Sequence, residues 1–255
     1  MKYLKSFNDT ASYEAWKNSE DYVLPNVSYT EDGNLYYNAF TEVAISYNMV
    51  DLGLPSGLTW ADKNVGAETP EDSGLYFQWG DTNGYTAEQI GVDKIFNFDG
   101  YFDTNDGGNT FNKYYAKGGL TTLDPSDDAA TVHMGSSWRT PTNADIVELV
   151  NNTTKVFVDI QGNEYTKVEN GTIDRYNLKG VKLIGKNGNS IFIPVCGYGY
   201  DNELKYNNDS GYIAAADLYS GSDKYAACLA IQIYGYFNAS GVYRVGGVPV
   251  RGVYN

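Results

Sequence analysis

The sequence predicts an α+β fold with few helices, several β-hairpins and long loops, preceded by a small N-terminal module. Three observations support this prediction. Short stretches of alternating apolar residues are separated by glycine-rich turns, only one segment has a strong helical pattern, and strands do not alternate with helices as in parallel-sheet proteins. A chain of 255 residues can bury a full core. We expect a module at residues 1–46 and a larger domain at 47–255.

The N-terminal module carries no residues arranged for catalysis. Thr10 can cap a short helix in the sequence ASYEAWKN. The sequence VSYTEDGNLYYN has strands of period two around Asp32 and Gly33, which is typical of a β-hairpin. The following TEVAISYNMV (41–50) is predicted to continue as a strand. We expect a small module of this kind to serve in anchoring or oligomerisation.

In the larger domain, GLTWADKNVG and LYFQWGD are predicted strands on either side of the turn-rich AETPEDSG. The segment RTPTNADIVELVNN is the clearest helix, because Thr142 can cap it, Asp145 follows three positions later, and Ile146, Leu149 and Val150 share one face.

Two hairpins follow that helix. KVFVDIQGNEYTKV alternates as a hairpin, and GVKLIGKNGNSIFIPV is a stronger one because Asn187 and Gly188 separate two apolar strands. From residue 196 onward the chain is predicted to form further strands and irregular loops.

Charge and composition limit the possible functions. A net charge of −14 disfavours sequence-independent nucleic-acid binding, which requires Lys and Arg to neutralise phosphates, and also disfavours docking on anionic membranes. Tyrosine is unusually common, with 24 copies. Tyrosine is a good strand residue, and it is also favoured at recognition surfaces; for the last 60 or so residues we favour recognition.

The sequence shows no membrane-spanning or secretory segment. MKYLKSFNDTASYEAW has a basic start but no apolar region of the kind found in signal peptides. No apolar run approaches the length needed to cross a bilayer, so we predict no membrane insertion. We expect synthesis in a cytoplasm, followed by action elsewhere as part of a particle. Cys196 and Cys228 lie in apolar surroundings and are interpreted as buried free thiols, with a disulfide as the alternative.

Catalytic patterns are weak. His133 lies near Ser136, Ser137, Asp127 and Asp128, which permits a hydrolase hypothesis, but no nucleophile elbow is present. We therefore interpret His133 as structural and predict that the protein is not an enzyme.

The polar insertion at residues 97–128 resembles a calcium loop only in part. Asp103, Asn105 and Gly108 occupy EF-hand positions one, three and six, but Tyr114 replaces the Glu of position twelve. We expect a solvated acidic loop and no cofactor, with calcium in 99–128 as the alternative.

Four separated stretches carry a resemblance to a known family. They are VDLGLPSGLTWADKNVGAETPEDSGLYFQWGDT (50–82), DDAATVHMGSSWRTPTNADIVELV (127–150), NGNSIFIPVCGYGY (187–200) and GVPVRGV (247–253). Together they resemble the C-type-lectin-like, formylglycine-generating-enzyme-like paralogous domain of gut Bacteroidetes and their phages, over roughly residues 48 to 255. The first 46 residues are similar to N-terminal segments of gut phage virion proteins.

The resemblance implies a C-type-lectin-like fold and a binding function. One group with this fold consists of the variable proteins of diversity-generating retroelements, in which adenine-directed errors rewrite a C-terminal binding face. Residues 225–255 lack Glu, Lys, Met and Trp, which such changes of Asn codons do not readily reach. Family members usually carry a Tyr-Trp-Ser-Ser-like run where this chain has YIAAAD. Neither the enzyme's cysteine motif nor the Glu-Pro-Asn and Trp-Asn-Asp signatures of calcium-dependent lectins are found.

The resemblance thus implies a phage receptor-binding or virion surface protein. At a fibre tip such a protein would be a homotrimer. Its partner would be a host cell-surface protein or glycan of gut Bacteroides. The alternatives are an undiversified bacterial surface adhesin, a hydrolase using His133, or a capsid decoration protein. The predicted contact residues are Tyr212, Ala214, Ala227, Ala230, Gln232, Tyr234, Tyr236, Tyr243, Val245 and Val248.

Overall fold

The structure, a computed structural model, describes residues 45–254 except 170 and 175, together with the backbone of three strands nearer the N-terminus. The chain divides into two compact units, Met1–Ser46 and Tyr47–Asn255. This boundary coincides with the one expected from the sequence. In the part of the chain that the structure describes, no helix has the length and apolar character needed to cross a membrane.

The first unit contains strands β1 (Leu4–Phe7), β2 (Asn26–Tyr29) and β3 (Leu35–Asn38). They form an antiparallel sheet in the order β1-β3-β2. The pairing of β2 with β3 confirms the strands of the predicted hairpin. The helix predicted after Thr10 and the turn at Asp32 and Gly33 lie outside the described residues.

The second unit is mostly β-sheet with few helices: the described residues include two α-helices, and strands make up 37%. The helices are α1 (Ala129–Met134) and α2 (Asn143–Asn152). The strands are β4 (Met49–Asp51), β5 (Thr59–Ala61), β6 (Tyr76–Phe77), β7 (Trp138–Arg139), β8 (Thr154–Asp159), β9 (Glu164–Tyr165), β10 (Leu178–Ile184), β11 (Ser190–Pro194), β12 (Cys196–Tyr200), β13 (Glu203–Asn207), β14 (Ser210–Leu218), β15 (Tyr225–Gln232), β16 (Phe237–Tyr243), β17 (Val248–Pro249) and β18 (Val253–Tyr254).

These strands form several small sheets around a shared core. The largest has the order β13-β12-β14-β15-β16, and two four-stranded sheets have the orders β11-β10-β8-β9 and β4-β5-β18-β7. A short pair joins β17 to β6. Because β18 hydrogen-bonds to both β5 and β7, the last strand completes a sheet begun about two hundred positions earlier.

Helix α2 forms as the sequence predicts. Thr142 Oγ1 accepts a hydrogen bond from the backbone N–H of Asp145 at 3.2 Å, and Asp145 Oδ2 accepts one from the backbone N–H of Thr142 at 2.7 Å. This reciprocal cap satisfies donors that the first turn leaves free. Ile146 and Leu149 are fully buried in the main core, and Val150 packs against it, so the predicted apolar face is confirmed.

Both predicted hairpins after α2 are confirmed. β8 pairs with β9, and β10 pairs with β11 across the Asn187–Gly188 turn. The strand predicted for 41–50 is wrong over 45–48, where the structure has no strand; among the described residues of this prediction, strand pairing begins at Met49. Asn48 donates from its backbone and its side chain to the Asp62 carboxylate at 3.0 and 2.8 Å, so this segment is held by a side chain.

Candidate ligand-binding surface

A continuous group of tyrosine rings includes at least one member from each strand of the five-stranded sheet. We call it the tyrosine strip. Its members are Tyr198, Tyr200, Tyr206, Tyr212, Tyr225 and Tyr243.

At one end of the strip, Tyr225 and Tyr243 are stacked, with ring centroids 4.4 Å apart and planes 26° apart. These residues are directly opposite each other in the register of β15 and β16, which is why their rings meet. The ring of Tyr200 lies 5.9 Å from that of Tyr243 and 6.3 Å from that of Tyr198. The contacts therefore continue without a gap from β15 and β16 to β12.

At the other end, Tyr198 makes two further ring contacts. Tyr206 stacks on it at 6.1 Å with planes 19° apart, and Tyr212 meets it edge-on at 5.2 Å. Such offset and edge-to-face arrangements are the favourable ones for aromatic pairs, each contributing about 0.5–1.5 kcal/mol beyond area burial. The strip is therefore a mutually supported surface.

The sequence CGYGY explains how β12 presents its part of the strip. Tyr198 and Tyr200 alternate with glycines, so both rings lie on one face of the strand. Gly197 has φ +66°, and a Cβ there would come within 2.1 Å of the Lys205 carbonyl oxygen. A Cβ at Gly199 would come within 2.5 Å of the Phe96 ring. Only glycine allows these close approaches behind the tyrosines.

The strip is partly open to solvent. Tyr206 and Tyr243 are 43% and 36% exposed, and the other members are half-buried. Burial raises the pKa of Tyr212 to about 12 and raises the pKa of Tyr198. A hydrogen bond with Tyr243, followed by burial, raises the pKa of Tyr225. These three hydroxyls therefore stay protonated at neutral pH and can donate hydrogen bonds.

A buried arginine fixes the end of the strip where Tyr243 lies. Arg244 is fully buried, and its Nη2 lies 2.5 Å from Asp103 Oδ2 in an ion pair. Nε donates to the Tyr101 hydroxyl at 2.9 Å, and Nη1 donates to the carbonyl oxygens of Tyr114 and Asp223 at 2.8 and 3.0 Å. Arg244 directly follows Tyr243, so these bonds hold the polar insertion and the β14–β15 turn against the end of β16.

The second arginine of the C-terminal segment is also structural. Arg251 is fully buried, with Nε donating to Asn64 Oδ1 at 2.8 Å and Nη1 to the carbonyl oxygen of Asp62 at 3.1 Å. Burial lowers its pKa to about 9. Residues 225–255, which contain no Asp or Glu, are therefore largely core around Arg244 and Arg251, and their lack of carboxylates follows from burial.

The structure corrects half of the predicted contact residues. Five of them are buried and cannot touch a ligand in this conformation: Ala214, Ala227, Ala230, Val245 and Val248. The sheet explains this correction, because Ala227 packs into the main core on one face of β15 while Ala230 packs into a second apolar cluster on the other. Small residues there allow close packing of both faces.

The other predicted contact residues are accessible to different degrees. Gln232 and Tyr212 are half-buried, and Tyr234, Tyr236 and Tyr243 are exposed. Tyr212 and Tyr243 belong to the strip. Tyr234 and Tyr236 lie in and after the turn at the far end of the β15–β16 hairpin, and a strand of eight residues spans about 26 Å. The structure therefore does not bring all five together.

Sequence reasoning missed four members of the strip: Tyr198, Tyr200, Tyr206 and Tyr225. A signal was available in CGYGYDNELKYNN, where tyrosines alternate with glycines and then recur on the next predicted strand. Such alternation places aromatic rings on one face. What the sequence could not supply was the pairing of β12 with β14, which brings these rings to Tyr212.

His133 and the neighbouring Asp128 both make contacts with other parts of the chain. His133 Nε2 lies 2.8 Å from the Thr82 carbonyl oxygen, and its ring contacts that of Phe77 at 5.4 Å. Asp128 is buried and accepts hydrogen bonds from Ala130 N and Thr140 Oγ1 at 2.9 and 2.7 Å. Asp128 therefore caps α1 and holds Thr140, which directly follows β7.

The polar insertion is not simply a solvated loop. Asp103 is buried, and it accepts hydrogen bonds from the backbone N–H groups of Lys113 and Tyr114 at 2.6 and 3.1 Å in addition to its pair with Arg244. The expectation of a solvated loop is therefore wrong for this residue, because its carboxylate balances a buried cation. Within the described ranges no cluster of three or more His, Cys, Asp or Glu is placed to hold a metal ion.

Cys196 and Cys228 are free and buried, which confirms the thiol interpretation and rules out the disulfide alternative. Burial raises the pKa of each thiol to about 12.

Comparisons with family models, with curated proteins and with solved structures find no match for this chain.

Proposed function

We propose that the chain is a ligand-binding protein that contacts its ligand through the tyrosine strip. The observation that carries this proposal is the unbroken series of ring contacts from Tyr206 to Tyr225. Tyr206, at one end of the series, and Tyr243, next to the other end, are exposed. Tyrosine supplies a large contact area and a hydroxyl at low entropic cost. Rings already fixed against one another lose little freedom on binding, which favours affinity.

The family resemblance supplies the finer parts of the proposal. We infer a C-type-lectin-like fold, and a virion surface protein that is made in the host cytoplasm and displayed on the particle. The ligand is a protein or glycan on the surface of gut Bacteroides cells. Residues 1–46 anchor or oligomerise the chain, for which a homotrimer is the proposed state. Joining several weak sites in this way raises avidity by roughly 10²–10⁴.

The test compares strip variants with matched tyrosines elsewhere. Fluorescently labelled full-length protein is titrated onto a panel of gut Bacteroides strains, as wild type and as Tyr198→Ala, Tyr243→Ala, Tyr234→Ala and Tyr236→Ala. The first two variants remove strip contacts, while the last two remove exposed tyrosines at the distant turn. We expect at least about a 30-fold loss of affinity for the strip variants, the size typical of a hot-spot residue.

The controls should bind within about threefold of the wild type. Equal binding by all four variants, or loss confined to Tyr234→Ala and Tyr236→Ala, would show that the strip is not the contact surface. Circular dichroism of each variant separates lost binding from lost folding.

Diversification by a retroelement is a further part of the proposal, and the structure sharpens its test. Deep sequencing of the gene in a propagating population should show adenine-directed changes at codons of accessible residues such as Tyr212 and Tyr243. The codons of the buried Ala227 and Ala230 should stay constant, since both are nearly inaccessible. A uniform distribution of changes over these codons would contradict this part of the proposal.

A further inference from the structure

Two asparagine–glycine steps lie in the part of the chain that the structure describes, at Asn83–Gly84 and Asn187–Gly188. Asn170 also precedes a glycine but lies outside the described residues. Asparagine is a chemically labile side chain, and a glycine after it leaves the next backbone nitrogen without a shielding side chain. That nitrogen can attack the asparagine Cγ and release the side-chain amide. The two steps are held very differently, so they should differ in this reaction.

We propose that Asn83 is a site of spontaneous deamidation, and that Asn187 is protected from it. The Gly84 nitrogen loses its proton to solvent and bonds to Asn83 Cγ. The side-chain nitrogen takes a proton from solvent and leaves as ammonia, which gives a cyclic succinimide. Water then opens the ring: cleavage at Cγ leaves aspartate, and cleavage at the backbone carbonyl leaves isoaspartate. The reaction needs no group other than water, and it does not depend on ligand binding by the tyrosine strip.

At the first step the attacking nitrogen is free. Among residues 45–254 as described, the Gly84 N–H has no hydrogen-bond acceptor, and the exposed Asn83 side chain makes one hydrogen bond. That bond runs from Asn83 Nδ2 to Asp81 Oδ1 and measures 2.8 Å. The backbone N–H of Asn83 donates to the same oxygen at 2.9 Å. A single side-chain bond therefore opposes rotation of Cγ toward the Gly84 nitrogen.

At the second step the corresponding groups are all engaged. The attacking Gly188 N–H donates to the Gly185 carbonyl oxygen at 3.0 Å. Asn187 is held at both ends of its amide, because Nδ2 donates to the Asp51 carbonyl oxygen at 2.9 Å and Oδ1 accepts from the Asn189 N–H at 3.1 Å. Both asparagines are exposed, so exposure does not distinguish them. Reaction at Asn187 therefore requires local opening of the β10–β11 turn.

Deamidation at residue 83 changes the charge and the backbone next to β6. It puts a carboxylate where Nδ2 now donates to Asp81, so two like charges replace a hydrogen bond. Isoaspartate also lengthens the main chain directly before Gly84, where a Cβ would already come within 2.6 Å of the Phe77 ring. His133 is placed to report both changes. Its Nε2 lies 2.8 Å from the Thr82 carbonyl oxygen, and its ring contacts that of Phe77 at 5.4 Å.

The test measures deamidation of the full-length protein at pH 8 by peptide mapping with mass spectrometry. The native protein is compared with the protein in guanidinium chloride, where neither set of hydrogen bonds survives. We expect native Asn83 to react at least about tenfold faster than native Asn187, because three hydrogen bonds hold the second step. In denaturant the two sites should react at similar rates. Equal native rates, faster reaction at Asn187, or reaction of Asn83 in denaturant alone would each overturn the inference.

A second readout is the NMR signal of the His133 ring, since the chain contains a single histidine. A new histidine signal should grow at the rate at which Asn83 is consumed. The matched variants are Asn83→Gln, which should keep one signal, and Asn187→Gln, which should behave as the wild type. A histidine signal that stays single while Asn83 is consumed would contradict the proposed change beside β6.

Discussion

The buried pair of Arg244 and Asp103 gives the sharpest prediction about stability. Both side chains are fully inaccessible, and their closest atoms are 2.5 Å apart. Asp103→Asn keeps the size of the side chain but removes the charge that balances the guanidinium. In either orientation of its amide, the NH2 group of Asn faces a donor that needs an acceptor, which is either the backbone N–H of Lys113 or the Arg244 guanidinium. Removing one partner of a buried pair costs about 3–5 kcal/mol because the other charge stays buried.

The assay is urea unfolding followed by tryptophan fluorescence, since Trp79 lies 4.7 Å from the Arg244 guanidinium carbon. With a denaturant dependence of about 3 kcal/mol/M, the unfolding midpoint of Asp103→Asn should fall by about 1–2 M. The matched control is Lys205→Met, which breaks the ion pair with Glu203, where the side chains are 33% and 65% exposed. An exposed pair of this kind contributes about 0–1 kcal/mol.

A double-mutant cycle completes the test. Asp103→Leu combined with Arg244→Met leaves no buried charge, so the double variant should be less destabilised than the sum of the single variants by about 2 kcal/mol or more. If Asp103→Asn shifts the midpoint no more than Lys205→Met does, or if the cycle is additive, the pair does not hold the insertion in the way described.

Three further predictions follow from other sites. A disulfide-exchange reagent at pH 8 should label neither Cys196 nor Cys228 in the native protein and both in denaturant, because burial holds each thiol pKa near 12; labelling without denaturant would contradict their burial. Thr142→Ala should destabilise the protein by about 1 kcal/mol through the lost cap of α2, measured by urea unfolding; a change below about 0.3 kcal/mol would rule out a stabilising cap. Burial alone would raise the pKa of Asp145, but hydrogen bonds from Arg139 and Thr142 lower it overall. Its stabilising contribution is therefore present above an unfolded-state pKa of about 4 and lost as pH falls below that, so Asp145→Asn should lose less stability between pH 5 and pH 2 than the wild type; equal losses would assign the pH dependence to other groups.

Local signals made the hairpins and α2 predictable. The Asn187–Gly188 turn and the capping box at Thr142 and Asp145 are each decided within a few residues. The candidate surface was only partly predictable. Tyr243 was recognised because it lies in a tyrosine-rich segment, but its stacking on Tyr225 depends on strand register.

The buried alanines show why the remaining predictions failed. A strand with one solvated face alternates between polar and apolar residues, whereas β15 is packed on both faces and has no such alternation. Ala227 and Ala230 therefore resemble small surface residues in the sequence. Arg244 was equally ambiguous, since an arginine is rarely buried, and its partner Asp103 is 141 positions away.

The position of β18 has a consequence for how the protein is made. This strand lies between β5 and β7 and contributes the fully buried Val253 to the main core. While the ribosome is still adding residues before this point, β5 and β7 each keep an unpaired edge, and unpaired edges invite association with other chains. The second unit can therefore reach its final structure only after residue 254 has been added and has left the exit tunnel. The pairing joins residues 195 positions apart, and folds rich in such non-local pairing fold slowly, which lengthens the time that nascent chains are exposed to misassembly.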